Sequence, residues 1–254
     1  MNKLKAIKKI RNKLKQGEHS LGSWIQIPNA SVAEIMSSAQ FDWIAVDLEH
    51  GSISVESLPD LFRAIELGET LPLARLAQSD AKDCKQALDA GAGGIIIPMI
   101  ESAKELKDIK KNSSWPPAGK RGVAFSRANL FGGLFENYVE EAQSPLLVAL
   151  IETKKGVKNI DEILNVEGLD AIMIGPYDLS ASLGKTADFQ SKEFLDALEK
   201  ISNSANSKKI PYGIHIIEPS RTQLEQRIKE GYKFLAYSMD SVMLRESANF
   251  EIFK

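Results

Sequence analysis

A (β/α)8 barrel is the fold this sequence predicts. Eight short apolar runs alternate with seven amphipathic helical patterns along the chain. Most runs are rich in Val, Ile and Leu and nearly continuous, as in parallel strands covered on both faces. The 254 residues match the roughly 250 over which such barrels form one unit, so one α/β domain spanning residues 1–254 is expected. A doubly wound open sheet is the competing architecture, and eight strand–helix repeats over this length favour the barrel.

Residues 1–18 are basic. Lys3, Lys5, Lys8, Lys9, Arg11, Lys13 and Lys15 face only Glu18, while Leu4, Ile7, Ile10 and Leu14 recur at near-helical spacing. Such an amphipathic helix either lies on a membrane surface or caps one end of the domain with its lysines in solvent. The cap is the expectation. Strands follow at 21–27, 41–48, 71–76, 94–100, 146–152, 169–175, 210–216 and 234–239, with helices at 32–39, 55–66, 81–90, 103–111, 157–164, 193–207 and 221–230. Gly68, Gly91 and Gly231 stand just beyond helical runs, where a left-handed stop is expected. One irregular stretch, 112–133, carries Trp115, Pro116-Pro117, Lys120, Arg121, Phe125, Arg127 and Phe131. A loop of this length inside a compact domain reads as ordered and functional.

Composition narrows the function. Hydrophobic residues at 43% and charged residues at 26% exclude a disordered chain. No run approaches the ~18 apolar residues of a membrane span, and the N-terminus lacks a signal-peptide core, so no membrane partner is expected. A lone cysteine, Cys84, excludes an internal disulfide framework and a thiolate metal cluster and fits a cytoplasmic setting. The net charge of −2 gives no reason to expect nucleic acid. The histidines are His19, His50 and His215, too few for a site built from imidazole. A metal here would rest mostly on carboxylates.

Barrel enzymes carry their chemistry at the C-terminal ends of the strands. Strand two ends in Asp47-Leu48-Glu49-His50-Gly51, strand three carries Arg75, and strand five ends at Glu152. Strand six runs into Gly175-Pro176-Tyr177-Asp178-Leu179-Ser180, strand seven holds His215, and strand eight ends near Ser238 and Asp240. Glu152 and Asp178 are the metal candidates, since two carboxylates on adjacent strand ends suit a hard divalent cation. The competing role for each is to cap the helix that follows it. His50 can act as a general base at neutral pH, with Asp47 or Glu49 orienting its ring. Arg75 follows apolar residues and can stabilise developing oxyanion charge in a low-dielectric site. Its alternative is a structural bridge to Asp47 or Glu49. His215 either meets the distal end of a substrate or fills the barrel mouth, and Cys84 reads as an inert helical position.

Several pieces together are recognisable: Leu21-Gly22-Ser23-Trp24, Phe41-Asp42-Trp43 leading to Asp47-x-Glu49-His50, Pro72-Leu73-Ala74-Arg75, Leu88-Asp89-Ala90-Gly91-Ala92, Pro116-Pro117-Ala118-Gly119 with Arg121-Gly122, Ile151-Glu152-Thr153, and Gly175-Pro176-x-Asp178-Leu179-Ser180. In order and spacing they resemble the HpcH/HpaI family of class II, metal-dependent pyruvate aldolases over essentially the whole chain. The resemblance implies reversible cleavage of a 4-hydroxy-2-oxo acid, such as a 2-keto-3-deoxy sugar acid, to pyruvate and an aldehyde, so the partners are small molecules. It implies Mg²⁺, Mn²⁺ or Co²⁺ on Glu152 and Asp178, Arg75 beside the pyruvate ketone, and a catalytic dyad of His50 with Asp47. Asp89 would lie near the aldehyde. In a reaction of this kind Gly175, Pro176 and Tyr177 would contact the substrate, and His215, from its place on strand seven, would meet the distal end of the substrate or fill the mouth. The implied assembly is a hexamer, a trimer of dimers, with the last helix (242–250) exchanged between subunits. Two positions depart from the pattern: Leu150 replaces a glutamine, and His215 replaces an aliphatic residue. A second enzymatic expectation is a citrate-lyase, malyl-CoA-lyase or citrate-synthase-like reaction on a thioester or keto acid. A non-enzymatic one is a retired, ligand-binding barrel.

Overall fold

The computed structural model describes residues 1–249. Eight parallel strands close into one barrel in sequence order: β1 (Ser20–Ile25), β2 (Trp43–Asp47), β3 (Leu71–Arg75), β4 (Gly94–Ile97), β5 (Leu146–Ile151), β6 (Ala171–Ile174), β7 (Tyr212–Ile216) and β8 (Phe234–Met239). The helices are α1 (Lys3–Lys15), α2 (Ala30–Ser37), α3 (Leu58–Leu67), α4 (Ala81–Asp89), α5 (Ala103–Ser113), α6 (Phe135–Gln143), α7 (Lys154–Lys158), α8 (Ile160–Ile163), α9 (Pro176–Ser182), α10 (Lys192–Lys208), α11 (Arg221–Lys229) and α12 (Asp240–Ala248). None of the helices among the described residues is long and apolar enough to cross a membrane.

Strand alternation sorts the side chains. On β2, Ile44 and Val46 join the outer core under the helices, whereas Trp43 and Ala45 face the barrel axis. The inward set, with Leu71 and Leu73 of β3, Leu146 and Val148 of β5 and Phe234 of β8, fills the lower barrel. Trp43 and Phe234 stack there at 4.5 Å with 3° between their planes. Continued upward by twos, the same period delivers Asp47, Arg75, Glu152 and His215 to the C-terminal mouth.

The lower end is closed by α1. Asn2 caps it by accepting from the Lys5 N–H at 2.9 Å. Its stripe of Ile7, Ile10 and Leu14 is buried in the barrel floor, so the apolar face that a membrane would need is consumed by the core. The lysines only partly follow expectation. Lys5, Lys8, Lys9 and Lys15 are exposed, but Lys13 holds Asp42 at 2.7 and 2.8 Å, and Lys3 donates to the Gly91 carbonyl at 3.1 Å. Arg11 grips Asp170 through Nε and Nη2 at 2.7 and 2.9 Å. The charged face of α1 thus fastens the loops that lead into β2 and β6.

The structure corrects several local expectations. Gly91 and Gly231 are left-handed, at φ +110° and +95°, but Gly68 is not, at φ −85°. Glu69 takes the positive φ instead, +56°. Gly68 is required by close approach, because a Cβ there would collide with Ser37. The helix expected at 157–164 breaks at Asn159 into α7 and α8. The sequence reading missed α6, whose buried residues are only Tyr138, Glu141 and Ala142. Trp115 packs edge-on against Tyr138 at 5.2 Å, so the start of the 112–133 stretch is anchored on that helix. Arg127, in the same stretch, donates to the Ala90 carbonyl at 3.1 Å and to Glu66 at 3.0 Å. The expected final helix is present as α12, with Phe250 lying outside the described residues.

Because α1 plugs the barrel floor, Ile10→Ala should cost about 2–5 kcal/mol, the range for a large-to-small change in a closed core. Lys9→Ala, on the exposed face, should stay within about 0.5 kcal/mol. Urea unfolding of both variants checks the contrast.

Candidate active site

A cavity of about 350 Å³ opens at the C-terminal mouth, lined by Trp24, Gln26, Asp47, His50, Arg75, Leu150, Glu152, Gly175, Pro176, Tyr177, Asp178 and His215 among others. Nearly every expected site residue meets here. Asp89 does not. It is the last residue of α4, and that helix runs back from the mouth toward the start of β4. On this chain Asp89 therefore sits near the opposite end of the barrel, where burial raises its carboxyl against the charges of Arg121 and Lys85.

The anchor of the site is a buried ion pair. Asp47 Oδ1 accepts from Arg75 Nε at 2.8 Å, and Oδ2 accepts from Arg75 Nη2 at 2.6 Å. Register pairs the two residues directly across β2 and β3, which makes the bidentate fork geometrically natural. Gln26 Nε2 adds a third bond to Oδ2 at 2.9 Å, and the Glu49 and His50 N–H groups donate to Oδ1 at 3.0 and 3.2 Å. Burial pushes the Asp47 carboxyl up, but the Arg75 and Gln26 bonds outweigh it and hold the group below the ordinary carboxylate range. Arg75 is likewise lowered by burial and raised, on balance, by Asp47 and Glu49. Its Nη1 stands 3.0 Å from Glu49 Oε2, an ion pair without hydrogen-bond geometry.

This network corrects the expected dyad. Asp47 meets His50 through the backbone N–H and spends its oxygens on Arg75, Gln26 and two amides. No bond joins it to the His50 ring among the described residues, and His50 stands exposed at the rim. The bridging role weighed for Arg75 is real. It ties Asp47 and Glu49 while its guanidinium carbon also lies 4.7 Å from the centroid of the Trp24 ring.

Glu152 is 2% exposed, and its Oε2 accepts from the Met99 N–H at 2.9 Å. Met99 holds a left-handed φ of +54°, a conformation with no signature in the sequence. Burial, reinforced by the charges of Glu49 and Asp178, raises the Glu152 carboxyl to about 7 against the Met99 bond. Gly175 leaves room for this carboxylate, since a Cβ there would overlap Oε1. The competing capping roles are taken by others: Thr153 caps α7, and Gly175 occupies the cap position of α9. A buried carboxylate with a cleared oxygen, facing negative neighbours, suits a hard cation. The described residues hold no cluster of three or more His, Cys, Asp or Glu side chains arranged for a metal, so Glu152 and Asp178 would be joined by water or substrate oxygens, as is common for Mg²⁺.

His215 lies on the cavity wall, stacked on Trp24 at 5.3 Å and 25°. Its Nε2 is 3.0 Å from the Ser238 carbonyl. Burial, helped by the Arg75 charge, drives its pKa down to about 4. Leu150 places an apolar wall two residues before Glu152. Cys84 is buried, and burial raises its thiol to about 11, as befits an inert position. Sequence reasoning missed Trp24 and Gln26 as site residues. Both stand at the end of β1, where the strand-end rule that found the others would also have found them.

Comparison with known proteins agrees with this geometry. The family model for HpcH/HpaI aldolase/citrate lyase matches residues 20–247. The chain is 34% identical over 242 residues to the hydroxypyruvate/pyruvate aldolase of Roseobacter denitrificans, covering 92% of this chain and 91% of that one. It is 34% identical over 240 residues to a 4-hydroxy-2-oxo-heptane-1,7-dioate aldolase of Escherichia coli, covering 92% and 90%. Its fold superimposes on the crystal structure of an HpcH/HpaI aldolase/citrate lyase family protein from Burkholderia cenocepacia with a TM-score of 0.88 at 26% identity, over 94% and 95% of the two chains. With the barrel and a match over most of the chain in agreement, the chain belongs to the HpcH/HpaI aldolase/citrate lyase family.

Proposed function

We propose that this protein is a metal-dependent pyruvate aldolase that reversibly cleaves a 4-hydroxy-2-oxo acid to pyruvate and an aldehyde. The observation that carries the reading is the convergence, in one cavity, of the anchored cation Arg75 with the buried carboxylate Glu152 and with Asp178. The relatives named as aldolases support it. Glu152 and Asp178 would hold a divalent cation such as Mg²⁺, Mn²⁺ or Co²⁺, which supplies Lewis-acid stabilisation of the oxo group.

The protein groups divide the rest of the work. Asp47 fixes two of the five guanidinium donors of Arg75, leaving others to face the oxo oxygen on which enolate charge develops. Such a preorganised donor is worth about 3–4 kcal/mol in the transition state. His50 takes the proton of the C4 hydroxyl as the C3–C4 bond breaks. The bonding pair becomes the enolate of pyruvate, C4 becomes the aldehyde carbonyl, and C3 then gains a proton. Gly175, Pro176 and Tyr177 form the wall beside the metal carboxylates. No lysine lines the cavity among the described residues, so an imine route has no amine to use.

The same reading includes a cytoplasmic setting and a hexameric assembly. Support for assembly comes from large apolar side chains left in solvent: Phe125 is 72% exposed, Phe131 68% and Leu244, on α12, 62%. Light scattering at micromolar concentration should return a multiple of the 28.0 kDa chain mass, and a strictly monomeric mass would overturn the assembly.

Stripping the protein with a chelator should abolish pyruvate release, and Mg²⁺, Mn²⁺ or Co²⁺ should restore it. Full activity after stripping would refute the metal role of Glu152 and Asp178. Glu152→Ala and Asp178→Ala should be inactive yet folded. Exchange of the pyruvate methyl protons with deuterated water, followed by NMR, isolates the enolate half-reaction. Arg75→Ala should depress both exchange and cleavage by ~10² or more. His50→Ala should lose cleavage by about 10²–10⁴ and exchange by less. Wild-type exchange in Arg75→Ala would show that the arginine is only structural.

A further inference from the structure

His215, a polar side chain of the cavity wall, has no part in the aldol steps, and its geometry is well defined. His215 is fixed twice, by the Trp24 stack at 5.3 Å and by the 3.0 Å bond to the Ser238 carbonyl. A carbonyl oxygen only accepts, so Nε2 must carry the proton. No carboxylate bonds to the ring among the described residues, and the Arg75 guanidinium packs on the same Trp24 side chain. A second proton is therefore disfavoured, in keeping with a pKa of about 4. Nδ1 is left as a bare acceptor on a residue that lines the cavity.

Charge and polarity narrow what this acceptor can meet. Arg75 is the one permanent cation among the described cavity-lining residues, and it is already paired with Asp47 and Glu49. Arg127 is committed to Glu66. A second carboxylate on the aldehyde would find no further permanent cation among the described residues that line the cavity. The cavity lining also includes Leu150, Met173, Ile217 and Met239, which suit carbon and offer no side-chain donor. Resting on the aldolase reading, we propose that Nδ1 of His215 accepts a hydrogen bond from a hydroxyl of the aldehyde, so that small neutral hydroxyaldehydes are the preferred partners of pyruvate. His215 is then a specificity residue, and the aldol chemistry itself stays with Arg75, His50 and the metal carboxylates.

Glycolaldehyde and propionaldehyde test this directly, because they differ only by a hydroxyl in place of a methyl group. Glyoxylate supplies the carboxylate arm. The measurement is kcat/KM for pyruvate addition to each, with the wild-type protein, His215→Leu and His215→Asn. The glycolaldehyde-to-propionaldehyde ratio should fall about tenfold in His215→Leu, the effect of one lost hydrogen bond, chiefly through KM for glycolaldehyde. His215→Asn, which keeps an amide oxygen, should retain part of the preference. An unchanged ratio in His215→Leu overturns the inference, as does glyoxylate emerging as the best partner and losing most in that variant. Should neither variant fold, ¹⁵N NMR of wild-type histidine decides. An unprotonated Nδ1 at pH 7 supports the assignment, and a protonated one defeats it. Pyruvate methyl exchange without any hydroxyl preference defeats only the role of His215. Absence of both exchange and addition defeats the aldolase reading together with it.

Discussion

Closure of eight parallel strands obliges every second side chain to point at the barrel axis, and most features of this protein depend on that constraint. The lower layers must be apolar and must fill the interior, as Trp43, Phe234 and the α1 stripe do. The upper positions continue the same rows but open toward the mouth, where polar groups can meet one another or a ligand. A one-residue slip in β2 would exchange Asp47 for Val46 and destroy both layers at once. Core packing and site construction are therefore two ends of the same pattern of alternation.

At the mouth, the dominant energetic fact is burial of charge. Asp47 is 1% exposed, and an unpaired carboxylate there would be costly. The Arg75 fork, the Gln26 amide and two backbone N–H groups together keep it ionised. Breaking a buried pair by removing one partner typically costs about 3–5 kcal/mol. Asp47 thus does more to hold Arg75 at a fixed angle than to serve a histidine. The opposite treatment is given to Glu152, which receives one amide donor and several negative neighbours, so that its carboxyl rises to about 7. One carboxylate is satisfied by the protein, and the other is left wanting a cation.

His215 and Leu150 modify the cavity without touching this electrostatic frame. Both face inward on their strands, and both form wall rather than anchor. Variation at such positions can change which aldehyde fits while leaving the enolate machinery intact. This separation is natural in a barrel, because the site residues come from the ends of several different strands.

The sequence by itself determined the barrel, its eight strands in order and most of the residues gathered at its mouth. Those features follow from local periodicity, and a period of two fixes the facing of a side chain wherever the strand is placed. It also placed α1 as the end cap, through the spacing of Ile7, Ile10 and Leu14. What it could not determine was which groups satisfy one another. Asp47 chose Arg75 over the His50 ring because register sets those two side by side across β2 and β3. Asp89 fell away from the cavity because α4 runs antiparallel to the strands, and Arg127 was captured by Glu66, which lies 61 positions away in the chain. Met99, left-handed in φ, likewise gives its N–H to a partner remote in sequence, Glu152. Facing is a local property of the chain, whereas partnership is decided by distance through space, and only the tertiary structure supplies those distances.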